Sequence, residues 1–382
     1  MEKKIRVLLV TSGFRKGVSG GIASVLHNYC TASALENSEI QFDYLSLGYQ
    51  TFEPYREEIE ACGGNLYCLD IHSNGKRRLI DIFFRMRKFL KDKSYDIVHT
   101  NSGALTQLLM MCIAAKTSGI NTVIAHSHNA LIKSKGTQIV YNCLKPLFYV
   151  AADEYYACAL VAAESMFPKG IIKRDKWVFI PNAINIEKFL YNEETRISYR
   201  KQFRFEDKFV IGHVGRFNEQ KNHAFLVDVF SEVSKQRDDA LLMLVGNGDL
   251  QQSIKDKVEE LGLSEKVIFM GQRNDVNCLM QAMDCFVFPS IFEGLGMVLI
   301  EAQAAGLPII SSDQVPVNET QVTEYIKYVP LSVDKWIESL RGIGRRRNRF
   351  ENISIFSKAG YEIDSAAEKL RRLYCEHSNS CK

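Results

Sequence analysis

The chain has 382 residues, of which 46% are hydrophobic and 24% charged, proportions that exclude a disordered or fibrous protein. A formal net charge of +3 is too small over this length to mark a nucleic-acid binder, so no nucleic-acid partner is expected. At roughly 100–200 residues per domain the length predicts two domains, and no apolar run reaches the ~20 residues of a membrane span.

Short runs rich in Val, Ile, Leu and Phe recur, each followed by a stretch of helical period, the pattern of a parallel sheet covered by helices on both faces. In the first half the predicted strands are IRVLLVT (5–11), FDYLSL (42–47), NLYCLD (65–70), DIVHTN (96–101), TVIAHSH (122–128) and EYYACA (154–159). The five or six apolar residues near the start are too short for a signal-peptide core. After the first strand, Gly20 and Gly21 stand directly before a predicted helix, a place where backbone can approach a phosphate. The spacing is not G-x-G-x-x-G, and no acid closes the second strand where a dinucleotide ribose would need one, which argues against a dehydrogenase.

Residues 74–93, NGKRRLIDIFFRMRKFLKDK, carry eight Lys or Arg against two Asp. Leu79, Ile82, Phe83, Met86, Phe89 and Leu90 recur at helical spacing, so this basic amphipathic helix packs on the sheet and is a candidate contact with an anionic membrane surface. His126 and His128 share one face of their strand and could both face a ligand or both be packed. No Cys, Asp or third His lies at ligand spacing nearby, and no metal site is expected.

Pro181 and Asn182 break the pattern, giving an expected boundary near 182. The second half then repeats the alternation with strands FVIGHVG (209–215), ALLMLVG (240–246), KVIFMG (266–271), CFVFPS (285–290) and PIISS (308–312). Two consecutive doubly wound sheets place ligands beyond the carboxyl ends of their strands. In GHVGRFNEQKNH (212–223), Arg216 and Lys221 fall in one strand-to-helix turn, where two cations can neutralise a departing diphosphate.

PSIFEGLGMVLIEAQAAGLP (289–308) carries the strongest signal. A buried strand stops at Pro289, a loop follows with Glu293, Gly294 and Gly296, and a helix begins. Its amide groups and positive dipole end make an anion site. Glu301, about one and a half turns into that helix, can accept two ribose hydroxyls. Near the end, RGIGRRRNR (341–349) is a second basic run. YEIDSAAEKLRRLYCE reads as a closing helix, and HSNSCK as a frayed tail. The ten cysteines lack a C-x-x-C pair and several sit in apolar runs, which suits buried thiols in a reducing compartment.

With these residues in view the sequence resembles the retaining glycosyltransferases of family 4, and among them the bacterial capsular and exopolysaccharide transferases. The likeness runs over almost the whole chain and is carried by GHVGRFNEQKN, MLVGNGDL, VIFMGQRNDV and AMDCFVFPSIFEGLGMVLIEAQAAGLPIISSD. The last holds the family's E-x₇-E signature as Glu293 and Glu301.

The resemblance implies an α/β GT-B fold: two Rossmann-like doubly wound domains facing a cleft, an acceptor-side domain over 1–182, a nucleotide-sugar-binding domain over 183–358, and a helix over 359–382 that crosses back to the first. It implies that Arg216 and Lys221 bind the donor pyrophosphate, helped by backbone at Gly294, Leu295 and Gly296, and that Glu301 holds the ribose. Glu293 would face the transferred sugar, Gln272 and Arg273 would border the base, Gly21 would lie near the donor phosphates, and Gly20, Gly215 and Gly246 would line the same site. His128 matches the family's active-site histidine, with His126 the second choice.

The implied chemistry is metal-independent, with a nucleotide sugar, UDP-linked, as co-substrate, no cofactor, and a glycan or undecaprenyl-type lipid-linked acceptor. The location that follows is cytoplasmic or peripheral on the inner face of the cell membrane. Two positions depart from the family's usual pattern: Ala23 stands where an acid is common, and Asn182, Ala183, Ile184 and Asn185 replace Asn-Gly-x-Asp. A nucleotide-sugar epimerase and a non-catalytic nucleotide-sugar-binding subunit are the alternatives; the E-x₇-E loop argues against the first, and the complete Arg216, Lys221, Glu293 and Glu301 set against the second.

Overall fold

The computed structural model describes residues 4–13, 21–32, 35, 39–128, 135–344 and 353–378. Gly20 and the rest of the 14–20 loop, the arginines of the second basic run from 345 onward, and the tail from 379 lie outside the described residues. The chain forms two compact units, one of Met1–Ile184 with Gly360–Lys382, the other of Asn185–Ala359.

The first unit is built on seven parallel strands: β1 (Ile5–Thr11), β2 (Ile40–Ser46), β3 (Leu66–Cys68), β4 (Ile97–Ser102), β5 (Thr122–Ser127), β6 (Glu154–Ala157) and β7 (Val178–Phe179), in the order β3-β2-β1-β4-β5-β6-β7. The second holds β8 (Phe209–Val214), β9 (Ala240–Val245), β10 (Val267–Gly271), β11 (Cys285–Phe288), β12 (Ile309–Ser312) and β13 (Ile326–Val329), in the order β10-β9-β8-β11-β12-β13. Both sheets reverse direction beside their first strand, between β1 and β4 and between β8 and β11, which makes two doubly wound Rossmann-like layers.

Continuous apolar runs became central strands because helices cover both faces of each sheet; every residue of β9 is buried. The sequence reading missed β7 and β13, which lie at sheet edges. The first has two residues, and the second exposes Lys327 between buried Ile326 and Val329, so neither presents the unbroken apolar run that marks a central strand.

Helix Gly75–Leu90 forms where the basic amphipathic segment lies. Its apolar stripe faces inward: Ile82, Met86 and Leu90 are buried, Leu79, Phe83 and Phe89 partly so. A stripe buried in protein offers nothing to a bilayer, and any membrane contact of this helix must use its outward strip. At the far end of the chain, Glu362 caps helix Ile363–His377 by accepting from the amides of Asp364 and Ser365 at 2.9 and 2.8 Å. That helix adds Ile363, Ala366, Ala367, Leu370 and Tyr374 to the core of the first unit, against Val25, Leu26 and Tyr29. Its entry is clamped to the end of the first pass, because Ile184 N–H donates to the Tyr361 carbonyl at 3.0 Å and Ile363 N–H to that of Ile184 at 3.1 Å.

In the second unit, helix Glu193–Phe203 is held by charge rather than by an apolar stripe. Asp284, directly before β11, is buried between Arg196 (2.6 Å) and Arg200 (3.0 Å), and its carboxylate also accepts from Val210 N–H at 2.8 Å. The guanidinium groups donate onward to the carbonyls of Gln281, Met283 and Ala282, each at 2.8 Å. Removing one member of a buried ion-pair network leaves uncompensated charge and costs about 3–5 kcal/mol. Asp284→Ala is therefore expected to shift the urea transition of the second unit by that amount while the transition of the first stays in place; an unshifted midpoint would show that the network contributes no net stability.

Candidate active site

The switch point between β8 and β11 gathers most of the predicted second-half residues. β8 ends at Val214, and the chain turns through Gly215, Arg216 and Phe217 into a single helical turn, Glu219–Lys221. Asn218 caps that turn, its side chain accepting from Lys221 N–H at 3.1 Å. The turn is tied to the loop beyond β11: Ile291 N–H donates to the Gln220 carbonyl at 2.9 Å, and Gln220 Nε2 donates to the Phe292 carbonyl at 3.0 Å. Two loops distant in sequence are thus fastened together.

This docking brings Lys221 Nζ to 2.6 Å from Glu293 Oε1, with both side chains mostly buried. The ammonium also lies 4.4 Å from the centre of the Phe288 ring, a cation–π contact that keeps it extended. Gly296 starts helix Met297–Ala304 with φ +78°, a conformation that a side chain would strain, and a Cβ there would sit 3.6 Å from Glu293 Cγ. Glu301 is the fifth residue of this helix. Burial pushes its carboxyl up to about 7, with the nearby Lys221 charge acting in the opposite sense. An ammonium, a helix N-terminus and a carboxyl able to give or take a proton near neutrality thus stand together, an arrangement suited to a diphosphate with a hydroxyl-bearing group attached.

Gly246 follows β9 with φ +139°, and a Cβ on it would fall 2.1 Å from the Gly215 carbonyl oxygen; only glycine lets these two strand ends meet. Arg216 is largely exposed and reaches Asp249 at 3.5 Å. Gln272 is exposed beyond the edge strand β10. Arg273 forks onto Asp275 at 2.8 and 2.6 Å, and Tyr199 donates to the same carboxylate at 2.9 Å. The structure therefore groups Gly215, Lys221, Glu293, Gly294, Leu295, Gly296 and Glu301, sets Arg216 and Gly246 at the margin, and leaves Gln272 exposed and Arg273 engaged by Asp275.

The sequence reading passed over two histidines inside its own motif. His213 and His223 are buried beside Lys221, their rings perpendicular at 4.7 Å, and His223 stacks on Phe217 at 4.0 Å. Burial and the Lys221 charge hold His223 at about 4 and His213 well below its ordinary range, so both pack as neutral rings against the lysine. The clue was their placement at either end of GHVGRFNEQKNH, one on the strand and one opening the helix.

In the first unit, Gly21 opens helix Gly21–Cys30. His126 and His128 stack at 3.9 Å, and the open choice between packing and exposure resolves unequally: His126 is 1% exposed and His128 8%. A third histidine, His99 on β4, joins them. The Tyr374 hydroxyl pairs with His99 Nδ1 at 2.6 Å, and His99 Nε2 lies 3.1 Å from His126 Nδ1. Desolvation by burial lowers His99 to about 3 and His128 to about 4, and holds His126 well below its usual value; all three are neutral near pH 7.

Asn101, paired with His126 in the sheet register, orients His128. Its amide N–H donates to the His99 carbonyl at 2.9 Å, so its oxygen faces His128 Nε2 at 2.9 Å. Both ring nitrogens of His128 face amide oxygens, Nδ1 that of Asn182 at 3.3 Å; a neutral ring has one proton to give, and the shorter contact to Asn101 favours carrying it on Nε2. Among the described residues no group of three or more His, Cys, Asp or Glu side chains could hold a metal ion.

Residues 195–341 match the family described as Glycosyl transferases group 1. The glycosyltransferase EpsF of Bacillus subtilis is 29% identical over 97% of this chain and 96% of its own length. A Methanocaldococcus jannaschii glycosyltransferase is 30% identical over 81% of this chain and 80% of its own. The Escherichia coli UDP-Gal:α-D-GlcNAc-diphosphoundecaprenol α-1,3-galactosyltransferase is 29% identical over 59% of this chain and 60% of its own. Among solved structures, Anabaena HepE in complex with UDP and glucose has this fold, with a TM-score of 0.69 at 16% identity over 98% of this chain and 96% of that one.

The geometry around Asn101 predicts a spectroscopic outcome. Imidazole nitrogen shifts of His128 should show one neutral tautomer with the proton on Nε2, and Asn101→Leu should populate the Nδ1–H form; an unchanged spectrum would remove Asn101 from this role.

Proposed function

The chain belongs to the group 1 glycosyl transferases, and from that premise we propose that it moves a sugar, with retention at the anomeric carbon, from a UDP-linked donor to a glycan or lipid-linked acceptor in capsular or exopolysaccharide synthesis. Three strands support this reading: the resemblance of its motifs, EpsF among its relatives, and the diphosphoundecaprenol acceptor in the name of the E. coli relative. The observation that carries it is the Lys221–Glu293 pair, 2.6 Å apart at the N-terminal end of the helix bearing Glu301.

In this mechanism the bond between the anomeric carbon and the diphosphate oxygen breaks as the acceptor oxygen approaches on the same face. The acceptor's proton passes to an oxygen of the departing phosphate, and nucleoside diphosphate leaves. Lys221, with Arg216 swinging in from the exposed margin, neutralises the charge that grows on the leaving group, work that otherwise falls to a metal ion. No cofactor or metal enters the scheme. Glu301 accepts the ribose hydroxyls, and Glu293, released from Lys221 as the diphosphate takes over the ammonium, accepts from a hydroxyl of the sugar.

In the first unit His128 is the histidine assigned to the sugar, because enclosed His126 has no face to offer. Gln272 stands for the base border, with Arg273 engaging the nucleotide only by leaving Asp275. The enzyme works at the inner face of the cell membrane, where a lipid-linked acceptor resides, and is held there peripherally. A screen of nucleotide sugars with lipid-linked acceptors, read by nucleotide release and by labelled product, tests the whole reading. Transfer with retained configuration supports it; donor epimerised without transfer, or bound without turnover, overturns it.

Lys221→Ala should lower turnover at least tenfold, about 1.4 kcal/mol of barrier or more, and near-normal turnover would dismiss the proposed role. A second expectation concerns pH. The Glu301 carboxyl, raised to about 7, is increasingly protonated as pH falls from 8 to 6 and then accepts hydroxyl donors poorly. Affinity for a nucleotide sugar, whose diphosphate does not titrate in this range, should therefore weaken toward pH 6, and binding near pH 7 should release protons. Calorimetry in buffers of different ionisation heat measures both; Glu301→Gln should bind weakly with a flat profile, and an unaltered pH dependence in that variant would exclude Glu301 as its source.

A further inference from the structure

Residues 138–152 read QIVYNCLKPLFYVAA and hold a single charge. That charge, on Lys145, is turned inward, its ammonium donating to the Glu164 carbonyl at 2.7 Å. The surface left behind is uncharged and mostly apolar: Ile139, Val140, Leu147, Tyr149 and Val150 are between 43% and 73% exposed, Gln138 and Asn142 are its polar exposed members, and Tyr141 is the only buried side chain from 138 to 143. Isolated exposed apolar residues need no explanation, but a contiguous group of this kind marks an interaction site.

The same sheet face carries a complementary strip. Helices Gly75–Leu90 and Leu105–Lys116, and the helical segments from Lys135 to Ala151, connect β3 to β4, β4 to β5 and β5 to β6. These connections run in one direction across the sheet, so right-handed crossovers place all of them on one face. Helix Gly75–Leu90 packs on Leu105–Lys116, which packs in turn on Phe148–Ala151. With its apolar stripe buried, Gly75–Leu90 shows solvent a second strip at helical spacing, Arg77, Ile80, Phe84, Arg87 and Lys88, all exposed. Its one acid, Asp81, stands four residues after Arg77 at the margin of this strip and accepts from the Ser73 hydroxyl, leaving the strip with a net positive charge. Cations interleaved with outward-facing Ile80 and Phe84, on the same sheet face as an uncharged surface that carries exposed aliphatic side chains and Tyr149, match an anionic lipid interface in charge and in depth.

We propose that residues 138–150 are the apolar anchor, and the outward strip of helix Gly75–Leu90 the cationic flank, of one docking face for an anionic phospholipid bilayer. The assignment rests on the proposal that the protein acts peripherally at a membrane, and it names the surface that does so. Ile139, Val140 and Val150 enter the acyl boundary, Tyr149 sits at headgroup level, and Arg77, Arg87 and Lys88 meet lipid phosphates.

Sedimentation with vesicles of phosphatidylglycerol and phosphatidylcholine tests it. Ile139→Asp combined with Val150→Asp, both at exposed positions, should keep the wild-type melting temperature and lose at least about tenfold in vesicle affinity. Arg87→Glu with Lys88→Glu should lose affinity and also the weakening by salt that wild type shows. Emission of a Tyr149→Trp variant should move to the blue when vesicles are added. If the double aspartate variant binds vesicles like wild type, or the tryptophan emission stays put, this face is overturned while the membrane reading stands; if wild type ignores the vesicles, both fall. A wild-type dimer made monomeric by Ile139→Asp, with vesicle binding intact, would give the surface to a second copy of the chain and overturn the proposal.

Discussion

The ion pair between Lys221 and Glu293 is the contact on which the candidate site of the second unit depends. Neither residue belongs to a long regular element: one closes a single helical turn after β8, the other sits in the loop beyond β11. Gln220 fastens the two loops through the backbone of Ile291 and Phe292, directly before Glu293, so the pair is held by more than its own attraction. A lysine buried between a carboxylate and the Phe288 ring loses little further freedom when an anion arrives, which is what electrostatic preorganisation requires. The neighbouring rings of His213 and His223, kept neutral by burial, pack against it without adding competing charge near neutral pH.

The first unit handles its buried polar groups differently. Its histidines form a column from Tyr374 through His99 to His126, with His128 stacked at the outer end. The column ties the C-terminal helix to β4 by a directional bond as well as by apolar packing, and Asn101 passes that order on to His128 by fixing which nitrogen bears the proton. A histidine held as one neutral tautomer presents a defined donor and acceptor, which a mobile surface imidazole does not.

Charge placement also separates what packs from what remains available. In the second unit two arginines are sunk around Asp284 to seat a helix with little apolar surface. In the first, helix Gly75–Leu90 spends its apolar stripe on the sheet and turns outward a strip in which cations alternate with two large hydrophobic side chains. The uncharged surface from 138 to 150 lies on the same side of that sheet, and its one lysine is withdrawn into the protein. Both features follow from one rule: ionised groups enter a folded protein only where hydrogen-bond partners wait for them.

Much of the architecture was legible in the chain itself. Runs such as ALLMLV and IRVLLVT are apolar without alternation because both sheet faces are covered, and their strands fall within a few residues of the expected positions. The short edge strands β7 and β13 escaped because an edge needs no such run. The loop and helix around Glu293, Gly296 and Glu301 could be read from local spacing, since a glycine at a helix start and an acid five residues later are near each other in any fold. Tertiary structure alone decided that Lys221 meets Glu293, that His126 is enclosed while His128 reaches the edge, and that His99 and Tyr374 join them. These outcomes depend on which strands lie side by side and in what register, and pairings of that kind are set by packing across the whole sheet rather than by neighbours along the chain.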